Sequence, residues 1–320
     1  IIESTLFEWP LRSLGRSFRR QNDARATAGC PAEMNNMSRK TGNLNTSIFV
    51  LPLFYALFAA AAFGQTYNSN TGGYNTGYGT VYGSFGLAMA TQNMYNFNQM
   101  NMQRLTMRQA MINKWGKAAV EKAEREAAAG RGTASGGTRA GARAEGPVIA
   151  PLKNVGKFRP VANAASVNAL ADAVGETPAE KQLIRTIFKA TKTAFEKEAG
   201  PRGWSNNIAG GLAFFTVTAM TVYHDEEPSE EASQAFFFTL NQTMDEVPEF
   251  AAMTNKQKQE FYDLMIGFSG ILLAGYMEGK ESGDRETLAA SQKIAGGLIE
   301  LVLKVDPRNL RTENGSIVIR

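Results

Sequence analysis

The run IAGGLAFFTVTAMTVY at residues 208–223 carries no charged residue and is apolar on every side of a helix. A helix of that kind is enclosed by its neighbours, so the rest of the chain has to wrap it. Gly210 and Gly211 cost helix propensity, roughly 1 kcal/mol each against alanine. Their presence predicts that another backbone comes close at that point. Gly267, Gly270, Ala274 and Gly275 carry the same expectation for a later helix. Small residues at such spacing also occur in membrane helices. The run, however, is shorter than the roughly 18 apolar residues of a span, and the helices around it read as amphipathic.

Capping residues mark the limits of those helices. Thr177-Pro178-Ala179-Glu180 is a capping box with proline at the first helical position, followed by the stripe Leu183, Ile184, Ile187, Phe188, Thr191, Ala194 and Phe195. Thr254-Asn255-Lys256-Gln257 is a second box, leading into Phe261, Leu264, Met265, Phe268, Ile271, Leu272 and Tyr276. Ser229 opens a third helix after Pro228, with Ala232, Ala235, Phe236, Thr239, Leu240, Thr243 and Met244 inward and Pro248 beyond its end. A last helix runs from about Asp284 to Lys304, with Ile294, Leu298, Leu301 and Val305 on its inner face. The expected fold is all-α: a five- to six-helix bundle over residues 151–306 around the buried central helix, preceded by a signal peptide, a low-complexity segment and a separate N-terminal helix. No stretch reads as a convincing strand, and residues 307–320 fit either a loose tail or a short edge strand.

A second uncharged run, IFVLPLFYALFAAAAF at residues 48–63, follows Arg39 and Lys40 and leads to Ala62 and Gly64, small residues three and one before Gln65. A charged start, an apolar middle of about 7–15 residues and small residues at the cut are the parts of a secretory signal. Pro52 and the short length favour cleavage over anchoring. Residues 37–64 are thus the expected signal peptide, with Met37 or Met34 as the start, and residues 1–36 stand outside the fold. Arg19-Arg20 lies too far upstream for a twin-arginine signal. The chain from Gln65 is expected in the periplasm or outside the cell, touching the membrane only in transit. An uncleaved run would instead anchor a membrane-associated protein.

Export changes what charge means. The chain holds 34 basic and 30 acidic residues, but residues 1–64 hold seven and four of these, leaving 27 against 26. No concentrated basic face remains, which excludes nucleic acid as a partner. Cys30, the sole cysteine, falls in the excluded segment. The exported part therefore folds on packing alone, without disulfide or thiol.

Residues 65–87 are Gly/Asn/Tyr-rich and read as a flexible lead, with Tyr67, Tyr74, Tyr78 and Tyr82 among glycines. Residues 88–129 read as one Met-rich helix on which Met100, Met107, Met111 and Trp115 share a face. Residues 130–150 read as a Gly/Ala/Arg linker. In Phe236-Phe237-Phe238 the first ring fits the inward stripe, whereas Phe238 projects on nearly the opposite side. Phe237 and Phe238, with Met100, Met107, Met111 and Trp115, form the expected interaction surface. Either the Met-rich helix docks on Phe238 or an unknown protein or cell-envelope partner does. Nine basic and four acidic residues in 65–146, against 18 and 22 in 147–320, permit the docking.

Catalytic signals are sparse. His224 is the only histidine, which rules out multi-histidine metal sites and any triad that does not use it. It remains a polar candidate beside Asp225, Glu226 and Glu227, although the end of the central helix is also where a cation offsets the helix dipole. Gly267-Phe268-Ser269-Gly270 lacks the strand-to-turn context of a nucleophile elbow. The methionines suit packing better than Cu(I) without a nearby His or Cys. Neither 130–146 nor 275–281 has the spacing of a phosphate loop. No metal, cofactor or catalytic residue is assigned. A carboxylate-dependent hydrolase stays open as an alternative to a non-catalytic interaction protein, since nothing in the spacing of the acids selects a pair.

Lys157-Phe158-Arg159-Pro160, the entry Asn207-x-Ala209-Gly210 to a Phe-rich helix ending at Tyr223, and Gln259-x-x-Tyr262 before a Gly/Ala/Leu helix carry a resemblance. The chain resembles a bacterial family of exported proteins whose shared helical domain is a domain of unknown function. The resemblance covers Phe158 to Val305, implies an envelope or secreted location and supplies no activity.

Overall fold

The computed structural model describes residues 66–68, 73–75, 92–131, 146–162, 166–313 and 315–320. The expected signal peptide and most of the Gly/Asn/Tyr-rich segment lie outside the described residues, as does 132–145. The described chain is mostly helical. In order the helices are α1 (Gln92–Trp115), α2 (Lys117–Ala128), α3 (Ser166–Val174), α4 (Pro178–Arg202), α5 (Ile208–His224), α6 (Glu230–Met244), α7 (Pro248–Ala252), α8 (Asn255–Ser282) and α9 (Arg285–Leu303).

Helix α5 is the all-apolar run, and from Ile208 to Val222 only Val217 is less than fully buried. The long helix α8 lies along α5, with α4 and α9 also packed on α8; α9 and α6 close further sides of α5, and α3 fits against α4 and α8. Both capping boxes form as expected at Thr177 and Thr254, and Ser229 caps α6 by accepting from Ala232 N. Asn207 caps α5 in the same manner, through Ala209 N at 3.0 Å.

The central glycines work by close approach. A Cβ on Gly210 would stand 2.7 Å from both C and Cα of Trp204, and one on Gly211 would stand 2.8 Å from the Tyr262 ring. Gly267 and Gly270 leave the same room on α8 for Leu170 of α3 and Thr191 of α4. The aromatic core continues outward from there: Phe195 meets Phe214 and Tyr262, and Trp204 stacks on Phe237 at 5.4 Å between centroids.

Several expectations need correction. The Met-rich helix is not continuous, because Gly116 (φ 85°) turns the chain and separates α1 from α2. Pro147 and Ile149 are buried, so the linker gives way to packed chain well before residue 150. Of the two alternatives for the C-terminal segment the strand is the one formed: after a short 3-10 turn at Pro307–Asn309, β3 (Leu310–Glu313) and β4 (Ser316–Ile319) pair antiparallel around Gly315 (φ 69°) and pack on α6 and α1 through β4. Within the segment read as flexible, β1 (Thr66–Asn68) and β2 (Gly73–Asn75) pair as short antiparallel strands, Tyr67 opposite Tyr74. Leu301, expected inside, is 46 % exposed; Ile299 and Val302 on either side of it are buried instead.

Candidate functional site

The three sequence segments behind the resemblance meet at the head of α5. Ile208 N donates to Gly156 O and Phe158 N to Asn206 O, each at 3.0 Å, with Lys157 bridged to Asn207. Gln259 Oε1 accepts from Val161 N at 2.6 Å, and Lys258 Nζ donates to Val155 O at 2.6 Å. The rings of Phe158 and Tyr262 meet edge to face at 5.3 Å. Burial pushes the Lys258 ammonium below its ordinary pKa.

Beneath this meeting point lies a polar cluster. Tyr262 Oη donates to Glu196 Oε1 at 2.6 Å and accepts from Asn206 N at 3.3 Å, while the Ser205 hydroxyl donates to Glu196 Oε2. Lys192 Nζ reaches the buried Asp263 carboxylate at 2.6 Å. Burial, reinforced by the Glu196 carboxylate, pushes the Tyr262 phenol far above its ordinary value, so it stays a donor. Glu196 thereby joins α4, the turn before α5, and α8. Sequence reading missed this cluster. Its one available signal was Tyr262 in the Gln259-x-x-Tyr262 motif.

The expected interaction residues separate into two groups. Phe237 and Phe238 are 6 % and 7 % exposed, so both lie inside the chain. Phe238 is covered by Ala123 and Ala127 of α2 and by Ile149, with Met111 and Leu152 alongside. The docking foreseen for the Met-rich region is therefore made, chiefly by α2. Met107 is 62 % exposed, and Met100, Met111 and Trp115 are half-buried. Lys114 Nζ sits 4.3 Å from the Trp115 ring centroid.

The face by which α1 does pack is polar. Its buried row is Phe97, Asn98, Asn101, Leu105 and Arg108. Asn98 donates to Leu303 O, Thr243 Oγ1 to Asn101 Oδ1 at 3.4 Å, and Arg104 pairs with Glu246. Arg108 gives two bonds to Glu124, at 2.7 and 3.1 Å, and a third to Ser316 Oγ at 3.0 Å. One guanidinium thus ties α1, α2 and β4 together. Periodicity pointed to the methionine face because amides and a guanidinium look like surface in a sequence.

At the far end of α5, His224 Nε2 lies 2.7 Å from Leu310 O. A carbonyl only accepts, so Nε2 carries the proton and ties α5 to β3. Asp225 takes bonds from Lys280 and from the Tyr276 phenol. These two donors, Lys280 first, hold its carboxyl below the ordinary range. Burial pushes Glu227 the other way, only partly offset by Arg202. His224 and Asp225 each tie the end of α5 to a distant element, His224 to β3 and Asp225 to α8. Among the described residues no cluster of histidine, cysteine or carboxylate side chains could hold a metal ion, and no helix is long and apolar enough to cross a membrane.

The sequence matches one protein family over residues 45–320. The chain belongs to the family of unknown function DUF6683. The DUF6683 match is wider than the resemblance, which stopped at Phe158 and Val305, and it takes in the apolar run 48–63, the pair α1–α2 and the hairpin β3–β4. That breadth agrees with packing, since α1 and β4 rest on α6 and on each other. No curated protein and no solved structure matches the chain.

Proposed function

We propose that this DUF6683 chain is an exported, non-catalytic interaction protein, a helical bundle around α5 that presents the outer side of α1 to a protein or cell-envelope partner. One observation carries the reading: the side chains best suited to chemistry are each committed to joining separate elements. Tyr262 and Ser205 bind Glu196, Lys192 binds Asp263, His224 binds Leu310 O, and Tyr276 and Lys280 bind Asp225. Such ties stiffen a scaffold. Met107, by contrast, is a large apolar side chain left in water. Export is supported by the run at 48–63 with its flanking Arg39-Lys40 and Ala62-x-Gly64, and the family match includes most of that stretch.

Two measurements test the reading. Expression from Met37, cell fractionation and mass analysis should give a soluble product beginning at Gln65; an intact membrane-bound product would overturn export. A photoreactive residue placed at position 107 should trap a discrete adduct in the cell envelope. Absence of any adduct would remove the interaction role of α1.

A further inference from the structure

We infer that Met107 and Met111 of α1 form a site of peroxide modification, at which conversion of Met111 to its sulfoxide loosens the seat of α2 on Phe238. The inference goes beyond the interaction reading and needs no partner. It starts from an inversion in α1: the buried row holds Asn98, Asn101 and Arg108, while the methionines lie outside that row. Met107 is 62 % exposed, whereas Met220, Met244 and Met265 in the core are at 2 % or below. A dissolved oxidant reaches the first sulfur and not the other three. Met111 follows Met107 by one turn and about 40° around the helix, toward the buried row. It is half-buried and packs against the cluster of Ala123, Ala127, Ile149 and Phe238.

The step is a two-electron oxygen transfer with hydrogen peroxide as the oxidant. A sulfur lone pair attacks one peroxide oxygen, and the O–O bond breaks as the S–O bond forms. The departing hydroxide takes the proton of the transferred oxygen and leaves as water. Sulfur is oxidised, peroxide is reduced, and the thioether becomes a polar sulfoxide.

The two positions differ in what the new oxygen meets. At Met107 it stands in water, and α1 keeps its seat through Phe97, Asn98, Asn101, Leu105 and Arg108, none of which carries sulfur. At Met111 the new acceptor faces alanine, isoleucine and phenylalanine side chains, which offer it no donor. To reach water it has to part from that cluster, and the cover over Phe238 weakens. Arg108 keeps its two bonds to Glu124, so α2 stays attached and the loosening is local.

The test is a hydrogen peroxide titration of the full chain carrying Cys30→Ser, which removes its one thiol. Peptide mass mapping should find Met107 oxidised first and Met111 later, with Met220, Met244 and Met265 at least about ten-fold slower than Met107. In urea the five rates should converge. Amide exchange then reads the consequence. A chain oxidised at Met107 alone should exchange like the parent. In the Met107→Leu chain, oxidised until Met111 is converted, α2 should exchange about ten-fold faster while α8 is unchanged. A methionine sulfoxide reductase should restore the parent rate. Met111→Leu, which keeps an apolar side chain of similar volume, should show no acceleration under the same treatment. Oxidation of Met107 no faster than that of Met265, an α2 indifferent to the Met111 sulfoxide, or equal acceleration in Met111→Leu would each overturn the proposal.

Discussion

Replacing Gly210 by alanine measures how tightly the turn before α5 is packed. In an unobstructed helix the change stabilises by about 1 kcal/mol. Here the new Cβ would run first into the Trp204 carbonyl oxygen and would stand 2.7 Å from the C and Cα of the same residue, at least about 0.7 Å inside ordinary contact near 3.4 Å. Trp204 has little room to retreat. Its N–H donates to Ala199 O at 2.9 Å, its indole N–H donates to Gln234 at 2.9 Å, and its ring lies on Phe237. Overpacking of this kind costs about 1–3 kcal/mol, and a weakened hydrogen bond in the turn adds about 1 kcal/mol. After the propensity gain, the expected net loss is about 1–3 kcal/mol. Gly296→Ala is the control, because its Cβ would crowd the ring of the half-buried Tyr223, at 3.0 Å, and otherwise meet Pro307 Cγ at an ordinary 3.6 Å. A ring can swing aside, so that variant should stay within about 1 kcal/mol of the parent. Urea unfolding followed by far-UV circular dichroism, with the slopes compared, reads both. Equal stability of the two variants, or a stabilised Gly210→Ala, would refute the close-approach reasoning.

Three further outcomes are expected. Glu124→Ala leaves the Arg108 guanidinium buried without its carboxylate and should cost about 3–5 kcal/mol, whereas the double change Arg108→Met, Glu124→Leu should cost much less, as unfolding curves would show. Phe238→Ala empties the contact between α6 and α2 and should cost about 3 kcal/mol or slightly more, with faster amide exchange in α2 than in α8. Asp225→Asn tests a pH dependence. Lys280 and Tyr276 hold the Asp225 carboxyl below its ordinary 3.8, so its contribution is present above that value and is lost as pH falls through the lower folded value. Because both partners of the Lys280 pair are partly exposed, the parent should exceed the variant by no more than about 1 kcal/mol at neutral pH, with the gap closing in acid.

What could be read in advance followed the strength of local signals. The enclosed α5, the capping boxes at Thr177 and Thr254, and the cap at Ser229 were legible because apolar periodicity and caps act within a few residues. The inward stripes of α4, α6 and α8 came from the same rule. The break at Gly116 was not, since a single glycine inside a helical pattern is usually tolerated. Nor was the packing face of α1, whose buried Asn98, Asn101 and Arg108 are satisfied by residues far away in sequence, among them Leu303 and Ser316. Leu301 was placed inside because leucine is normally counted as core, and only tertiary contacts decide which side of α9 is covered. The Glu196 cluster escaped for the same reason as Arg108: its hydroxyl and carboxylate partners sit on three elements and announce no spacing.

The reach of Arg108 to Ser316 also sets a schedule. The bond joins residues 208 positions apart. A chain emerging N-terminus first presents α1 and α2 long before the strand that completes their seat exists. Until β4 arrives, the guanidinium has only Glu124, and Phe238 depends on a cover that β4 has not yet braced. The helices from α3 to α9 can collapse around α5 while this waits. The hairpin then acts as the closing fastener, and its late delivery leaves the first helices of the chain open to chaperones or proteases for most of synthesis.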